Sequence, residues 1–404
     1  MPILLLQNPD VKTMTDQDLP FAGLKVLDMA QGVAGPHCGL LLAQHGADVT
    51  KLEPLGGDWG RALGVRYGDF CGFGAVYNRG KKSISVDLKT DFGLEVAKKL
   101  ASEADVILES FRPGVMARFD LDYETVAAKN PSVIYLSVSG YGQHGPYNKQ
   151  PVTDSVMQAF SGLMSVNKDA NGTPQRIGII AVDVLTGLYG FQAVAPALYR
   201  RLRTGKGQHL DVSLMQSALA FLSAKMVERH LQGPEQQVLG APVGTFKTSD
   251  GYININARRD PHFKALMQMI GRPELIDDPK FSTPEARNIN TDEISAIIAE
   301  ETPKRPTETW LTELHAQDIL AGRVNDFPDI IADEQVQAIK AVRWTNQPEM
   351  GEIPMPMIPG ATIPVGNKAT SPYLGEHTTQ ILMDLGYDPQ TIKQMISSGA
   401  ALQK

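Results

Sequence analysis

The chain has 404 residues, 42% of them hydrophobic and 21% charged, with a formal net charge of −7. That composition fills a core in two domains or one large one and excludes a disordered chain. The acidic balance excludes a general nucleic-acid binder, which needs a basic face to neutralise phosphates, but it leaves room for a local basic pocket.

The two cysteines, Cys38 and Cys71, show no CxxC and no Cys/His ligand spacing. Neither a disulfide framework nor a metal site is expected. No run of about eighteen uncharged apolar residues is present, so no membrane span is expected. The opening "MPILLLQNPD" is too short and too soon interrupted for a signal sequence, and a cytoplasmic location is the expectation.

In chain order, "LKVLDMA" (24–30) predicts a strand, followed by a Gly/Pro turn and a helical "CGLLLAQHGA". "DVTKLEP" (48–54) and "SISVDLK" (83–89) predict further strands. A helix over "DFGLEVAKKLASEA" (91–104) leads to a strand at "DVILESF" (105–111). Then come a helical "YETVAAKN" and a strand at "VIYLSVSGYG" (133–142). Short β-rich runs alternating with helices imply βαβ units and a mostly parallel sheet, whose ligands gather at the carboxyl ends of the strands.

The segment 176–208 is almost wholly apolar for its first twenty residues, apart from Asp183, and reads as a long helix ending in "TGKGQ". After it, "HLDVSL" (209–214) predicts a strand and "MQSALAFLSAKMVERHLQ" (215–232) one long helix. "TFKTSDGYININA" (245–257) predicts a hairpin around Asp250-Gly251, followed by two helical segments. The Pro-rich 350–366 cannot be regular helix, and the chain closes on two short helices.

The turn "VLDMAQGVAGP" invites a dinucleotide reading, with Glu53 about twenty residues on as the acidic ribose ligand. No G-x-G-x-x-G is present, which disfavours it. A tight turn presenting backbone N–H groups to some other ligand, or a plain turn, fits better. Asp183 has two compatible readings: the N-cap of the helix that follows, or a carboxylate nucleophile for an activated acyl carbon. Asp154 also precedes an apolar helix and reads as a cap or Asx turn. Lys89, Arg112 and Arg118 follow strand ends, where solvated surface is the ordinary role of such side chains.

Several segments together resemble the class III (family III) CoA-transferases, a family that also contains α-methylacyl-CoA racemase. They are "GLKVLDMAQGVAGPHCGLLLAQHGADVTKLEP", "NRGKKSISVDLKT", "ADVILESFRPGVMARFDLDYE", "NPSVIYLSVSGYGQHGPY", "SGLM", "LYRRLRTGKGQHLDVSL", "TSDGYI" and "LGEHT". The resemblance implies an α/β chain with a large Rossmann-like domain, carrying a mostly parallel sheet, and a smaller inserted α+β domain. Placed on this sequence, residues 1–231 form the large domain, 232–318 the small one, and 319–404 the return to the large domain. An interlocked homodimer is implied too.

The resemblance places the catalytic aspartate at Asp183 and a second acidic position at Asp154. It puts Gln31, Gly32, Val33, Ala34, Val86, Lys89, Ser110, Phe111 and Arg118 against coenzyme A, which is a substrate here; no tightly bound cofactor is implied. Ser110 stands where formyl-CoA transferase-like members have Asn. In the small domain only Gly240 and Gly244 can stand for a glycine-rich loop, and Arg323 replaces a usual proline. The racemase branch needs a His and a Glu at positions held here by Thr153 and Lys247, neither of which supplies that acid–base chemistry. The implied reaction moves CoA from an acyl-CoA to a small organic acid through an aspartyl anhydride and an aspartyl-CoA thioester. Arg258, Arg259 and Arg323 are candidates to grip a second carboxylate on a dicarboxylic acid, against their ordinary role as surface. A racemase and a non-catalytic acyl-CoA-binding protein are the alternatives.

Overall fold

A computed structural model of the protein describes residues 18–169, 171–233, 239–361 and 366–404. The opening "MPILLLQNPD" and residues 362–365 of the Pro-rich segment lie outside them. The chain divides into two compact units: one built from residues up to Ser223 together with Lys340–Lys404, the other from Ala224–Ile339.

The larger unit is organised on six parallel strands: β1 (Lys25–Asp28), β2 (Asp48–Glu53), β3 (Lys82–Val86), β4 (Val106–Glu109), β5 (Ile134–Ser139) and β6 (Gln208–Ser213). Their spatial order is β3-β2-β1-β4-β5-β6, and a short strand Ala401–Leu402 adds antiparallel to β3. The order reverses about β1, which starts at the middle of the sheet, so a crevice opens at the carboxyl ends of β1 and β4. Both faces are covered, so the strands are buried on each side, including polar positions such as Lys51, Glu53, Ser83 and Ser85. Alternate residues serve opposite cores. Val26, Val106, Leu108, Leu136 and Val138 pack on one face, and Leu27, Ile84, Ile107 and Tyr135 on the other.

On the first face lie helix α1 (Ala34–Gln44) and, later in the chain, the long helix of 176–208. The second face takes α3 (Asp91–Glu103) and α4 (Tyr123–Lys129); α2 (Gly72–Tyr77) precedes β3. The chain-end helices Thr378–Asp384 and Pro389–Ser397 complete that second face through Ile381, Leu382, Ile392 and Met395. Helix α5 (Asp154–Phe160) precedes α6 (Ala181–Thr204). By length and composition α6 is apolar enough to cross a membrane, yet Val182, Val194, Ala197 and Leu198 pack into the core. The Pro-rich stretch contributes the strand Gly351–Pro356, paired among the described residues only with Val342–Gln347. A two-stranded ribbon has free edges, which is where strand prolines are tolerated.

The smaller unit carries a three-stranded antiparallel sheet in the order β9-β8-β7, from β7 (Val243–Lys247), β8 (Tyr252–Asn256) and β9 (Leu320–Arg323). Its core joins Phe246, Ile253 and Ile255 to Phe263, Leu266, Trp310 and Leu314 of the helices. This matches the α+β expectation. The limits 232 and 318 shift to 224 and 339, because β9 lies beyond 318 and pairs with β8 along Ile253–Asn256. The single helix predicted over 215–232 is two, Leu214–Phe221 and Ser223–Gln232, interrupted at Leu222.

Candidate active site

Asp183 occupies the first turn of α6, and it is not that helix's cap. The N-cap position is Ile180, which has no side-chain oxygen to offer. The cap comes instead from Asp154, on a separate helix. Its Oδ1 accepts the N–H of Val182 at 2.7 Å and of Asp183 at 3.2 Å. Gln158, one turn further along α5, donates to Asp154 Oδ2 at 2.6 Å. Gln158 also accepts from Ile177 N–H and donates to the Ile179 carbonyl, which ties the approach to α6 in place. Asp154 is the first residue of α5, so it does not cap its own helix either; Thr153, the residue before, makes no side-chain cap. The local-cap reading of both aspartates is thus replaced by a tertiary cap, with two orphan helical N–H groups satisfied from across the chain.

That arrangement leaves the Asp183 carboxylate itself without a hydrogen-bond donor among the described residues. Burial, and then the neighbouring Asp154 charge, push its pKa up to about 7. The positive end of α6 works in the opposite sense and favours the ionised form. The result is a carboxylate poised to exchange its proton near neutrality. Tyr77 is close enough to feel it: burial, then the Asp183 charge, raises the phenol to about 12. His37 joins α1 to α6 through its Nδ1 and the Val184 carbonyl at 3.1 Å, and its ring meets Tyr77 edge-on. Burial holds His37 down to about 4, so it is neutral at pH 7.

Asp183 and Asp154 open on a cleft of ≈ 290 Å³ whose lining includes Gln31, Val33, Ala34, Ser110 and Phe111. Seven of the residues predicted for the site therefore meet in one place. Ser110 links the two loops that build the floor, accepting from Gln31 N–H at 2.8 Å and donating to the Gln31 carbonyl at 3.3 Å. Phe111 is held by its N–H on Glu109 Oε2 at 2.8 Å.

The other predicted residues fall elsewhere. Gly32 is adjacent, but its N–H is committed to Asp58 and its α-carbon lies under the Trp59 ring. Val86 is buried in the core at the end of β3 and does not line this cleft. Lys89 and Arg118 are exposed and do not line this cleft. Gly240, Gly244, Arg258, Arg259 and Arg323 all belong to the smaller unit. The three arginines are exposed there, and Arg323 approaches Glu308 at 3.8 Å. Among the described residues no group of three His, Cys, Asp or Glu side chains could hold a metal.

Sequence reading missed the support beneath the floor. Asp58 Oδ1 takes the Gly32 N–H at 2.7 Å, and its other oxygen pairs with Lys51 Nζ at 3.0 Å. Lys51 also donates to the Ala30 carbonyl, and Asp28 accepts the Ala30 N–H. Lys81 pairs with Asp28 at 2.7 Å and donates to the Pro36 carbonyl at 2.8 Å. Glu53, the would-be ribose ligand, is wholly buried and grips Arg61 through both oxygens at 2.6 and 2.8 Å, which removes the dinucleotide reading. Three carboxylates and three cations thus neutralise one another under the 28–36 segment. Charged residues inside a strand carry no local sign of such burial. Missed in the cleft itself were Trp59 and Arg112; the latter had read as solvated surface.

The sequence profile described as CoA-transferase family III matches residues 21–378. A succinate–glutarate CoA-transferase of Agrobacterium fabrum is 35% identical over 92% of this chain and 97% of its own. A human succinyl-CoA:glutarate CoA-transferase is 34% identical over 95% of this chain and 90% of its own. Among solved structures, a CAIB/BAIF family protein from Brucella suis superposes with a TM-score of 0.82 at 33% identity, covering 91% of this chain and 99% of the other. Fold, cleft and sequence agree: the chain belongs to CoA-transferase family III and is a CoA-transferase.

Proposed function

We propose that the protein transfers CoA between an acyl-CoA and a small dicarboxylic acid, with Asp183 as the covalent carrier. The observation that carries the reading is the Asp183 carboxylate, set in the first turn of a helix whose cap is supplied by Asp154 and left without a donor of its own among the described residues. A structural carboxylate would be paired; a nucleophile must be free. One Asp183 oxygen attacks the thioester carbonyl carbon. The carbon–sulfur bond breaks, CoA leaves as thiolate, and an aspartyl anhydride remains. The thiolate then attacks the Asp183 carboxyl carbon and expels the donor acid, giving an aspartyl-CoA thioester. An acceptor carboxylate attacks that thioester and the steps run in reverse. Oxyanions develop at each addition, and backbone N–H groups near the cleft are the donors suited to them. Val33, Ala34 and Gly35, at the start of α1, direct their N–H groups to no acceptor among the described residues.

The dicarboxylic class is supported by the relatives named for succinate and glutarate and by a succinyl-CoA–D-citramalate CoA-transferase of Chloroflexus aurantiacus, 34% identical. It is also supported by Arg112, the cation of the cleft lining, which has no ion-pair partner among the described residues. A guanidinium there suits a second carboxylate or a CoA phosphate. Thr153 on the cleft rim offers no base for a racemase. An interlocked homodimer and a cytoplasmic location complete the proposal. Brief incubation with a pool of short acyl-CoAs, followed by intact mass and peptide mapping, tests it. A CoA-sized adduct on the Asp183 peptide is the expected result; a bound but unconsumed acyl-CoA with no adduct would overturn it.

A further inference from the structure

Trp59 is a large apolar side chain, yet it is 54% exposed. It is not on a mobile tip. It opens a 3₁₀ turn, Trp59–Ala62, whose cap is Asp58, with Oδ1 accepting both Gly60 N–H and Gly32 N–H. The turn's last charged side chain, Arg61, is clamped by Glu53. The indole is seated on Gly32 so closely that a Cβ there would fall 2.0 Å from its Cζ2. Gly32 also has φ of +81°, so no other residue suits the position. The same indole lines the cleft that holds Asp183.

From these observations we infer that Trp59 is a specificity-determining residue: its indole forms a rigid wall of the cleft and sets the length of the acid admitted beside Asp183. This rests on the transferase reading above. At ≈ 290 Å³ the cleft has room for the acyl end of the thioester or for a small acid, not for a whole coenzyme A. A short carbon chain placed between Arg112 and Asp183 would lie beside an apolar ring, and such a ring on a fixed support discriminates by size. A methylene too many or too few in a rigid apolar pocket changes kcat/KM by roughly 10–200-fold.

The test is kcat/KM for a series of straight-chain dicarboxylic acceptors of increasing length, in the wild type, Trp59→Ala and Trp59→Phe. The expected result is a shift of the preferred acid to greater length in Trp59→Ala, by about tenfold in the ratio of long to short acid, with Trp59→Phe between the two. A chain-length profile unchanged in Trp59→Ala, with the wild type active, overturns the inference and leaves the transferase reading standing. A second measurement does not depend on turnover. On the Asp183→Ala protein, succinate and its longer homologues are titrated by tryptophan fluorescence, with and without Trp59→Phe. A change lost in Trp59→Phe supports contact with the acid; a change produced only by CoA, or none, overturns it. If the wild type transfers CoA to no acid the transferase reading falls, and this titration alone decides on Trp59.

Discussion

The protein treats carboxylates withdrawn from solvent, wholly or in part, in two opposite ways within the same unit. Beneath the 28–36 segment, Asp28, Glu53 and Asp58 are matched by Lys51, Lys81 and Arg61, and their free valences go to backbone groups. At the start of α6, Asp154 is spent on helical N–H groups and Asp183 is left bare. In the first region a charge is neutralised and the backbone it touches is fixed. In the second, burial without a partner becomes proton affinity and chemical reactivity. The residue type is the same; what differs is whether a cation lies within reach.

The contrast breaks most sharply at the nucleophile. Asp183→Ala is expected to lower turnover by at least about 10⁴-fold while leaving the fold intact, since Asp154, the other carboxylate of the cleft, is committed to helical N–H groups. Steady-state CoA transfer and circular dichroism check it, and substantial retained activity would assign the carrier elsewhere. Next in size is the paired region. Lys51→Met leaves Asp58 and Asp28 short of a buried partner and should cost roughly 3–5 kcal/mol in chemical denaturation. Activity would fall with it, because the Ala30–Gly32 backbone loses its support.

Removing the charge at Asp183 should do the reverse. The folded-state pKa lies above the unfolded one, so between about pH 4 and pH 7 the native state binds the extra proton and loses stability as pH rises. Asp183→Asn is therefore expected to be more stable than the wild type by roughly 2–4 kcal/mol at pH 8, with the difference vanishing below pH 4. Melting curves across that range decide the sign. The wild-type rate of aspartyl loading should fall below pH 7 for the same reason. The smallest effect is at Asp154. Asp154→Asn keeps an acceptor for the Val182 and Asp183 N–H groups but removes a charge beside Asp183, so the acid limb of the pH–rate profile should move down by about half a unit to one unit. An unmoved limb would mean that burial alone sets the Asp183 pKa.

Much of this was legible in the sequence. Hydrophobic runs alternating with helical periods gave the parallel sheet, and "TSDGYI" gave the β7–β8 turn. Asp183 stood out because a lone carboxylate interrupts an apolar segment. Gln31, Val33, Ala34, Ser110 and Phe111 were reached only through the resemblance, yet they meet Asp183 in one cleft. Val86 lies apart from that cleft, at the end of β3 with its side chain in the core.

Taken alone, the sequence determined the local events: which runs become strands or helices, where turns fall, and which carboxylate is chemically out of place. Those follow from the period of apolar residues and from backbone preferences that act over a few positions. The tertiary structure decided which charges are paired. Asp154 caps a helix that begins 27 residues further on. Asp58 holds Gly32 across 26 residues, and Lys81 reaches Asp28 across 53. Electrostatic pairing depends on distance in space and on exclusion of water, and neither is set until the strands have assembled.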